Sequence, residues 1–463
     1  MNRSQHALAP RARAIGRFTT AVVLALFFAG AQLPACWSVT ALVPPYGCPG
    51  EPVTIQGFGF GAEQAESTVT FGGVVAGEVS EWTDTSITVL VPPGVSPGAA
   101  AVTVKGVAAA TPFRVIGCPL PGMAAERPRI DADGAGQTHI AFGQDSTLRY
   151  LAATEGTFGE PEEVDVFRSG GALDLAVGPS GEPQIVYDIP VALPWVFPYT
   201  YARYIRRAAG VWGPPAKLCG RASAFDPVTC QLDRVAVGPD DVPSLAWLTY
   251  DVRYTSRWVD RVELDGGTWV SDEIARGDFF DSIASVDAIT DSSNRVWLAQ
   301  VRPWLSGSPP YPSGTRVTLG NPPTAQVVET TSASSSTFSR PALAEGTHAI
   351  HLLWRRGSEI RASRADRATG LIAATEVVTT LPDGEKPQPI VTADPDGGDA
   401  ALILWLQAGK VMGASFESES GSWSAPFVVA SNAASTPDAT TRRGRTEVVW
   451  LGAASDLRYA TLP

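Results

Sequence analysis

The sequence predicts an all-β protein with two unequal domains, a small β-sandwich followed by a larger ring of repeated sheets. Among its 463 residues are 45 glycines and 38 prolines, which break helices and mark turns. Between those turns lie short runs of alternating apolar and polar residues, which are typical of strands buried on one face. One strand pattern recurs along most of the chain, as repeated sheets require. The formal net charge of −12 argues against a nucleic-acid partner, because such binding depends on basic groups that neutralise phosphates.

Residues 1–35 have the layout of an export signal. Four arginines precede an uncharged stretch, residues 19–33, that is too short to span a bilayer comfortably. The segment ends in Leu33-Pro34-Ala35-Cys36, which resembles the cleavage box of bacterial lipoproteins. That resemblance implies a lipid on Cys36 and a location at the outer membrane or cell surface. The alternative is ordinary cleavage after residues 29–31, which would leave a secreted protein.

The cysteine count is consistent with a modified Cys36. The chain has five cysteines, an odd number for an exported protein. If Cys36 carries lipid, four remain, and pairing of nearest partners predicts the disulfides Cys48–Cys118 and Cys219–Cys230. This is one of three possible connectivities.

Residues 36–117 are predicted to form the sandwich. Short runs at 53–56, 68–71, 86–89 and 101–104 alternate apolar with polar residues, and about seven such strands fit into the segment. The turns between them are rich in glycine and proline, which supply backbone conformations that other side chains disfavour.

Three motifs in this segment point to a known family. The segment from Gly50 to Gly61 ends in Gly-Phe-Gly-Phe-Gly, and it is followed by Val69-Thr70-Phe71-Gly72-Gly73 and by Val91-Pro92-Pro93-Gly94. In this order the motifs resemble the IPT/TIG family of immunoglobulin-like domains. The resemblance implies an immunoglobulin-like sandwich of the kind that serves as an extracellular stalk, so we expect a spacer. Direct ligand binding by this domain is the lesser alternative, because its loops carry no cluster of charged or aromatic residues.

Residues 118–463 are predicted to form a β-propeller. The recurring strand has seven copies, and six of them end in an aromatic residue. The copies lie at 138–142, 183–187, 243–247, 295–299, 350–354, 401–405 and 446–450. Their spacing of 45 to 60 residues is typical of one four-stranded blade. We therefore expect seven blades, with six or eight as alternatives. The last repeat stops after its third strand, so residues 119–125 are predicted to add the missing outer strand and to close the ring.

The turns near the ends of several repeats resemble those of the sialidase-like propeller superfamily. Asp265-Gly266-Gly267-Thr268-Trp269 has an aspartate and an aromatic residue at the two ends of a glycine turn, although it is one residue short of that superfamily's motif. Residues 419–423 and 155–158 lack the aspartate. The resemblance implies a propeller fold and no particular activity.

Catalytic and metal-binding patterns are not indicated by the sequence. His139, His348 and His351 lie in or near the recurring strand, where we expect structural roles. Paired aspartates such as Asp131 and Asp133 fall in hairpin turns, where aspartate is favoured for backbone reasons and calcium is the lesser alternative. We predict no catalytic residue, no metal and no phosphate or redox cofactor.

Long connections rich in aromatic residues predict one recognition face. They fall at 189–200, 219–230, 249–256, 301–314 and 330–339, and in a propeller all five emerge on the same side. The candidate ligand-binding residues in these connections and in one further loop between blades are Trp195, Phe197, Tyr199, Tyr250, Tyr254, Trp304, Tyr311, Phe279 and Phe280, with Phe225 in the loop between two cysteines. Aromatic rings stack well on sugars and peptide side chains, although the same rings could simply pack among themselves.

These observations favour a lipid-anchored surface protein that binds a glycan or an extracellular protein. We expect a monomer that contacts the membrane only through its lipid. A sialidase-like glycoside hydrolase and a structural envelope protein without a discrete ligand are the alternatives.

Overall fold

The computed structural model describes 16 stretches of the chain, and every regular element in them is a strand. The described residues are 37–43, 45–48, 52–77, 79–92, 95, 98–115, 119–154, 157–191, 199–218, 228–251, 256–265, 268–277, 283–305, 313–321, 324–332 and 338–462. The predicted signal and Cys36 lie outside them, as do Cys118 and Cys219. None of the described residues belongs to a helix that could cross a bilayer.

Eleven short strands form the sandwich. They are β1 (Ser38–Val43), β2 (Tyr46–Gly47), β3 (Pro52–Phe58), β4 (Val69–Phe71), β5 (Val74–Val75), β6 (Val79–Trp82), β7 (Ser86–Leu90), β8 (Gly98–Ala100), β9 (Val102–Val104), β10 (Val107–Ala108) and β11 (Phe113–Val115). They pair into three sheets in the orders β1-β3-β7-β6, β10-β9-β4-β5 and β2-β11-β8. Alternation along β3 and β7 buries Val53, Ile55, Ile87 and Val89 in a common core, as the sequence pattern predicted.

The chain enters the sandwich at one end and leaves it at the other. β1 begins at Ser38, which pairs with Phe58, and Lys105 lies at the same end because its ammonium group is 5.8 Å from the ring of Trp37. The segment β8-β9 runs toward Lys105, and β11 is antiparallel to β8, so β11 leads away from that end. We call the end with Trp37, Phe58 and Lys105 the base. Cys48, which is buried, directly follows β2, and β2 pairs in parallel with β11.

Seven sheets form the second domain. Blade 1 contains β13 (Glu126–Ala132), β14 (Thr138–Gln144), β15 (Thr147–Thr154), β16 (Thr157–Phe158) and β17 (Glu162–Val166). Blade 2 contains β18 (Leu173–Val177), β19 (Pro183–Val191), β20 (Tyr199–Ala208), β21 (Val211–Trp212) and β22 (Ala216–Lys217). Blade 3 contains β23 (Val228–Val237), β24 (Pro243–Asp251), β25 (Ser256–Asp265) and β26 (Thr268–Gly277), and blade 4 contains β27 (Ser285–Thr290), β28 (Val296–Leu305), β29 (Ser313–Asn321) and β30 (Thr324–Thr331). Blade 5 contains β31 (Ala342–Glu345), β32 (Ala349–Arg356), β33 (Glu359–Asp366) and β34 (Glu376–Thr380); blade 6 contains β35 (Ile390–Ala393), β36 (Ala401–Gln407), β37 (Lys410–Glu417), β38 (Ser422–Trp423) and β39 (Phe427–Ser431); blade 7 contains β40 (Asp438–Arg442), β41 (Arg445–Leu451) and β42 (Asp456–Leu462), with β12 (Pro119–Ala124) as its outer strand.

The blades close into a ring. The first strands of neighbouring blades, β13, β18, β23, β27, β31, β35 and β40, contact one another in that order, and β40 contacts β13. The prediction of seven blades is therefore confirmed. β12 pairs with β42, with Pro119 opposite Arg458 and Ala124 opposite Asp456. This confirms the predicted closing strand, which joins the start of the domain to its end.

Aromatic residues of the repeat fill the spaces between blades. Trp354, Trp405 and Trp450, which end three copies of the recurring strand, are almost completely buried. This burial explains why the repeat keeps an aromatic residue there, since a large ring fills the widening gap between radial sheets.

A second aromatic contact recurs between neighbouring blades. Trp212 of blade 2 packs edge-on against Tyr150 of blade 1, with ring centroids 5.2 Å apart. Trp269 of blade 3 contacts Tyr204 of blade 2 at 4.8 Å in the same geometry. Trp269 is the aromatic residue of the degenerate turn identified in the sequence. Its role here is to pack against the preceding blade.

The aspartates of the hairpin turns hold backbone amides. Asp133 Oδ1 accepts hydrogen bonds from the amides of its own turn, including that of Gln137 at 2.8 Å. Asp394 Oδ2 accepts one from the amide of Gly444 in the next blade at 2.6 Å, and Asp241 accepts one from the turn of blade 2. Within the described part of the chain, no three His, Cys, Asp or Glu side chains are grouped so that they could hold a metal ion. These turns therefore tie neighbouring blades together.

Candidate functional site

The first strands of the seven blades begin around a single cavity. This cavity has a volume of about 590 Å³ and is lined mostly by residues in or just before those strands. Its size lies within the range of roughly 300–1,000 Å³ that small-ligand sites occupy. The connections from each second strand to the third, and from each blade to the next, leave from this end of the ring. We call the cavity the mouth and this end of the ring the mouth face.

Charged residues of opposite sign alternate around the mouth. One polar lining residue from each blade belongs to this ring, and in blade order these are Arg129, Asp174, Arg234, Asp287, Arg340, Gln388 and Asp438. Further polar residues that line the cavity are Glu126, Arg127, Ser169, Ser435 and Thr436. Because the seven strands are equivalent positions of one repeat, residues that are far apart in sequence become neighbours. The ring therefore alternates in charge around most of its circumference.

The aspartates of the ring hold the next blade in place. Asp174 Oδ2 accepts a hydrogen bond of 2.7 Å from the amide of Val235, and Asp287 Oδ2 accepts one of 2.7 Å from the amide of Leu343. Asp438 Oδ2 accepts one of 3.0 Å across the closure of the ring, from blade 1. Each carboxylate thus has one oxygen engaged by the backbone of the following blade, which fixes the strand spacing at the mouth.

The arginines of the ring lie beside the second carboxylate oxygens. Arg129 Nε lies 3.7 Å from Asp174 Oδ1. Arg234 Nε and Arg340 Nη2 lie 3.8 Å and 3.7 Å from Asp287 Oδ1. The three arginine side chains are about one-third exposed, at 31%, 35% and 32%, whereas the side chain of Asp287 is only 2% exposed. The guanidinium groups are therefore the accessible part of the ring.

Burial and a neighbouring charge shift the pKa values of two groups at the mouth. Burial raises the pKa of Asp174 to about 6, although Arg234 and Arg129 oppose the shift. The pKa of Arg234 is raised chiefly by the neighbouring carboxylate of Asp287, so this guanidinium remains charged. At neutral pH the ring consequently presents a fixed cation at Arg234 beside an aspartate that takes up a proton in mildly acidic solution.

Three neighbouring blades extend further than the others on the mouth face. In blades 2 and 3 the second strand runs four residues past the end of the recurring motif, to Val191 and Asp251, and in blade 4 it runs six residues past, to Leu305. In blades 1, 5, 6 and 7 it runs only one or two residues past. At about 3.3 Å per residue, the additional pairs raise these hairpins by roughly 7–13 Å. Blades 2–4 therefore form a raised wall along one side of the mouth.

The candidate aromatic residues all belong to this raised sector. Tyr199, Tyr250 and Trp304 lie at the ends of β20, β24 and β28 next to the mouth-face connections. The other candidates lie outside the described residues, in connections of blades 2–4, and are Trp195, Phe197, Tyr254, Tyr311, Phe279 and Phe280. Their role in binding remains a prediction. The predicted disulfides also remain predictions, and Cys230 lies in β23.

The buried histidines have structural surroundings. His139 Nδ1 lies 2.6 Å from the hydroxyl of Tyr150, inside blade 1. Burial lowers the pKa of His139, and it lowers the pKa of His351 to about 4. His351 packs against Phe416 of the next blade. His348 is exposed on the opposite side of the ring, 3.3 Å from Asp399. None of the three lines the mouth.

Sequence reasoning did not identify the mouth, although two arginine fragments of the sequence line it. Arg127-Pro128-Arg129-Ile130 and Arg340-Pro341 are unremarkable arginine fragments in sequence, yet residues 127–129 and 340–341 line the same cavity. The available signal was a charged residue within or just before the apolar part of the first strand in several repeats. Its meaning depends on closure of the ring, which brings those positions together.

One part of the chain matches a family model. Residues 38–114 match the IPT/TIG domain, which confirms the resemblance found in the sequence for the sandwich. No curated protein matches the chain in sequence.

Several solved structures are similar in fold at low identity. A catalytically inactive virginiamycin B lyase from Staphylococcus aureus is 14% identical, with 75% of this chain and 98% of that chain covered and a TM-score of 0.43. An auxiliary nutrient binding protein from Bacteroides ovatus is 12% identical, with 92% and 97% covered and a TM-score of 0.37. An ulvan lyase, a polysaccharide lyase, is 12% identical, with 60% and 75% covered and a TM-score of 0.43.

Proposed function

We propose that this protein is exported, is held at the cell surface by a lipid on Cys36, and binds a glycan at the mouth of its propeller. The observation that carries the proposal is the alternation of arginine and aspartate around the mouth. The guanidinium groups, which are about one-third exposed, can donate hydrogen bonds to the oxygens of sugar hydroxyls, while the buried Asp174 and Asp287 hold them in place. The three arginines of the ring balance its three aspartates in formal charge, and Arg127 and Glu126, which also line the cavity, balance each other, which favours a neutral glycan over a highly charged one.

The raised wall of blades 2–4 supports the same proposal. It places the aromatic-rich connections on one side of the polar mouth. A sugar ring could then stack on an aromatic face while its hydroxyls reach the guanidinium groups. A protein ligand is the other partner that aromatic connections suit, and the balanced polar mouth is the feature that favours the glycan.

The geometry of the sandwich supports the surface location. The chain enters at the base, directly after Cys36, and β11 leaves in the opposite direction toward the propeller. Gly47 lies nine residues after Ser38, which corresponds to a span of up to about 30 Å. A domain with its entry and exit at opposite ends holds the propeller away from the point of attachment, as a spacer must.

Binding to a glycan array with two matched arginine variants tests the mouth. Arg234→Gln removes a guanidinium that is 35% exposed and lies beside a buried aspartate in the mouth. Arg295→Gln is the control, because Arg295 is 33% exposed and pairs with the buried Asp291 at the opposite end of the ring. We expect Arg234→Gln to weaken binding at least tenfold and Arg295→Gln to change it less than twofold. Equal effects of the two substitutions would contradict binding at the mouth.

Two further measurements test the remaining parts of the proposal. A Trp195→Ala/Trp304→Ala double variant should weaken binding if the raised wall takes part, and unchanged binding would exclude the wall. Mass spectrometry of the mature N-terminus should show a diacylated Cys36. An unmodified N-terminus after residue 31 would indicate a secreted protein.

Glycoside hydrolysis is the second candidate function. The gathering of Arg127, Arg129 and Arg340 at one cavity favours it, because sialidase-like hydrolases need an arginine cluster for the substrate carboxylate. Against it, the aspartates of the ring are engaged by backbone amides. Turnover of synthetic glycosides by the mature protein would favour the hydrolase over a binding protein.

A further inference from the structure

We infer that the base of the sandwich rests on the lipid headgroup layer, so that membrane contact extends beyond the acyl chains on Cys36. This inference rests on the proposed lipid anchor and concerns how the folded protein sits above it. It differs from the expectation drawn from the sequence, in which the lipid is the only contact.

The chain has no linker between the anchor and the folded domain. Trp37 directly follows Cys36 and packs against the sandwich core, and β1 begins at Ser38. Consecutive Cα atoms are 3.8 Å apart. Since acyl chains on Cys36 must lie in the hydrocarbon region, the backbone of Trp37 lies within the interfacial layer, which is about 5–8 Å thick on each side of a bilayer.

The base carries side chains that suit this layer. Phe58 pairs with Ser38 in the sheet, which places their Cα atoms about 5 Å apart, and it is 47% exposed. The Lys105 ammonium group lies 5.8 Å from the ring of Trp37 and donates a 2.8 Å hydrogen bond to the carbonyl of Phe60. Aromatic rings are enriched at the membrane interface, and lysine can keep its charge in the headgroups while its stem lies along apolar surface.

Acidic residues at the base define the kind of bilayer. Glu63 and Glu66 lie in the connection from β3 to β4, which begins and ends at the base. Asp84 lies beside it, because its carboxylate accepts a 2.9 Å hydrogen bond from the amide of Gly61. Three acidic groups beside one lysine disfavour an anionic surface. The partner is therefore a zwitterionic headgroup layer, such as phosphatidylethanolamine.

Photo-crosslinking at two matched positions tests the inference. Val43 is also 47% exposed, and it lies at the other end of β1, roughly 17 Å further from the base. The photoreactive residue p-benzoylphenylalanine replaces either Phe58 or Val43 in the full lipoprotein, which is reconstituted into phosphatidylethanolamine vesicles and illuminated. Mass spectrometry measures both the lipid on Cys36 and the yield of phospholipid adduct. We expect at least fivefold more adduct at position 58 than at position 43.

The two possible failures are distinguishable in the same sample. If Cys36 carries no lipid, the proposed anchor is wrong and the inference fails with it. If Cys36 is lipidated and the adduct yields at positions 58 and 43 are equal, the anchor stands and the contact at the base is refuted. A higher yield at position 43 would also refute it.

Discussion

Replacing Asp174 by asparagine should change the free energy of unfolding in a pH-dependent way. The difference between the variant and the unaltered protein should favour the variant more at neutral pH than at acidic pH. Asparagine keeps an oxygen that can accept the hydrogen bond from the Val235 amide, but it removes the buried charge. The pKa of Asp174 is raised from 3.8 to about 6, chiefly by burial. A raised pKa means that the folded state favours the protonated acid. The contribution of this group to stability is therefore complete below pH 3.8 and is lost as the pH rises to 6.

The size of the effect follows from the two pKa values. A difference of about 2 pH units corresponds to a total of about 3 kcal/mol, of which about 2 kcal/mol is lost between pH 4.5 and pH 7.5. The free energy of unfolding of Asp174→Asn, minus that of the unaltered protein, should rise by that amount over this interval. Any loss of hydrogen-bond strength would shift the difference equally at every pH.

Urea unfolding at several pH values, followed by tryptophan fluorescence, measures this difference. Asp383→Asn, in an exposed turn of blade 5, serves as the control for removing one negative charge from an acidic protein. A difference for Asp174→Asn that is constant between pH 4.5 and pH 7.5 would refute the argument. A difference that falls with rising pH would show that the charged form is the one stabilised at the mouth.

Three other outcomes follow from the packing of the propeller. Gly171→Ala should destabilise the protein by about 1–3 kcal/mol, because an added Cβ would lie 2.3 Å from a backbone carbonyl oxygen, whereas Gly134→Ala, with nothing within 4 Å, should be neutral in the same unfolding assay. Burial lowers the pKa of His351 to about 4, so the stability that the neutral imidazole contributes is lost as the pH falls below 6.5. His351→Leu should therefore lose about 2 kcal/mol less free energy of unfolding than the unaltered protein between pH 7 and pH 4.5. Parallel pH profiles of the free energy of unfolding for the two proteins would contradict this. Trp269→Ala should lower stability by about 2–4 kcal/mol through loss of its contact with Tyr204, whereas Trp269→Phe should recover most of it if ring packing is the cause.

The fold was largely predictable because it follows from local periodicity. The recurring strand contains a buried apolar run that ends in an aromatic residue, and this pattern is visible in any single copy. The closing strand could be predicted because the last repeat lacked an outer strand. The sandwich could be predicted because its glycine turns have distinct spacing, although eleven short strands form where about seven were expected.

The mouth could not be predicted to the same extent because it is a product of closure. Arg129 and Arg340 are more than 200 residues apart, and neither carries a local signal of its own. The alternation of sign around the ring requires the correct blade number and register, since a shift of one residue would turn each side chain to the other face of its sheet. The greater length of the hairpins in blades 2–4 also depends on pairing between strands. The long connections indicated only where that extra length lies.

The pairing of β12 with β42 has a mechanical consequence. The sandwich is joined to the propeller through β12. If the base were fixed and a ligand bound at the mouth were pulled, the force would therefore enter the propeller through that outermost strand. The same strand is one of the contacts that close the ring. Detachment of β12 would therefore transfer the load to the remaining contacts between blades 7 and 1, such as the hydrogen bond from the Ile130 amide to Asp438, before the ring could open.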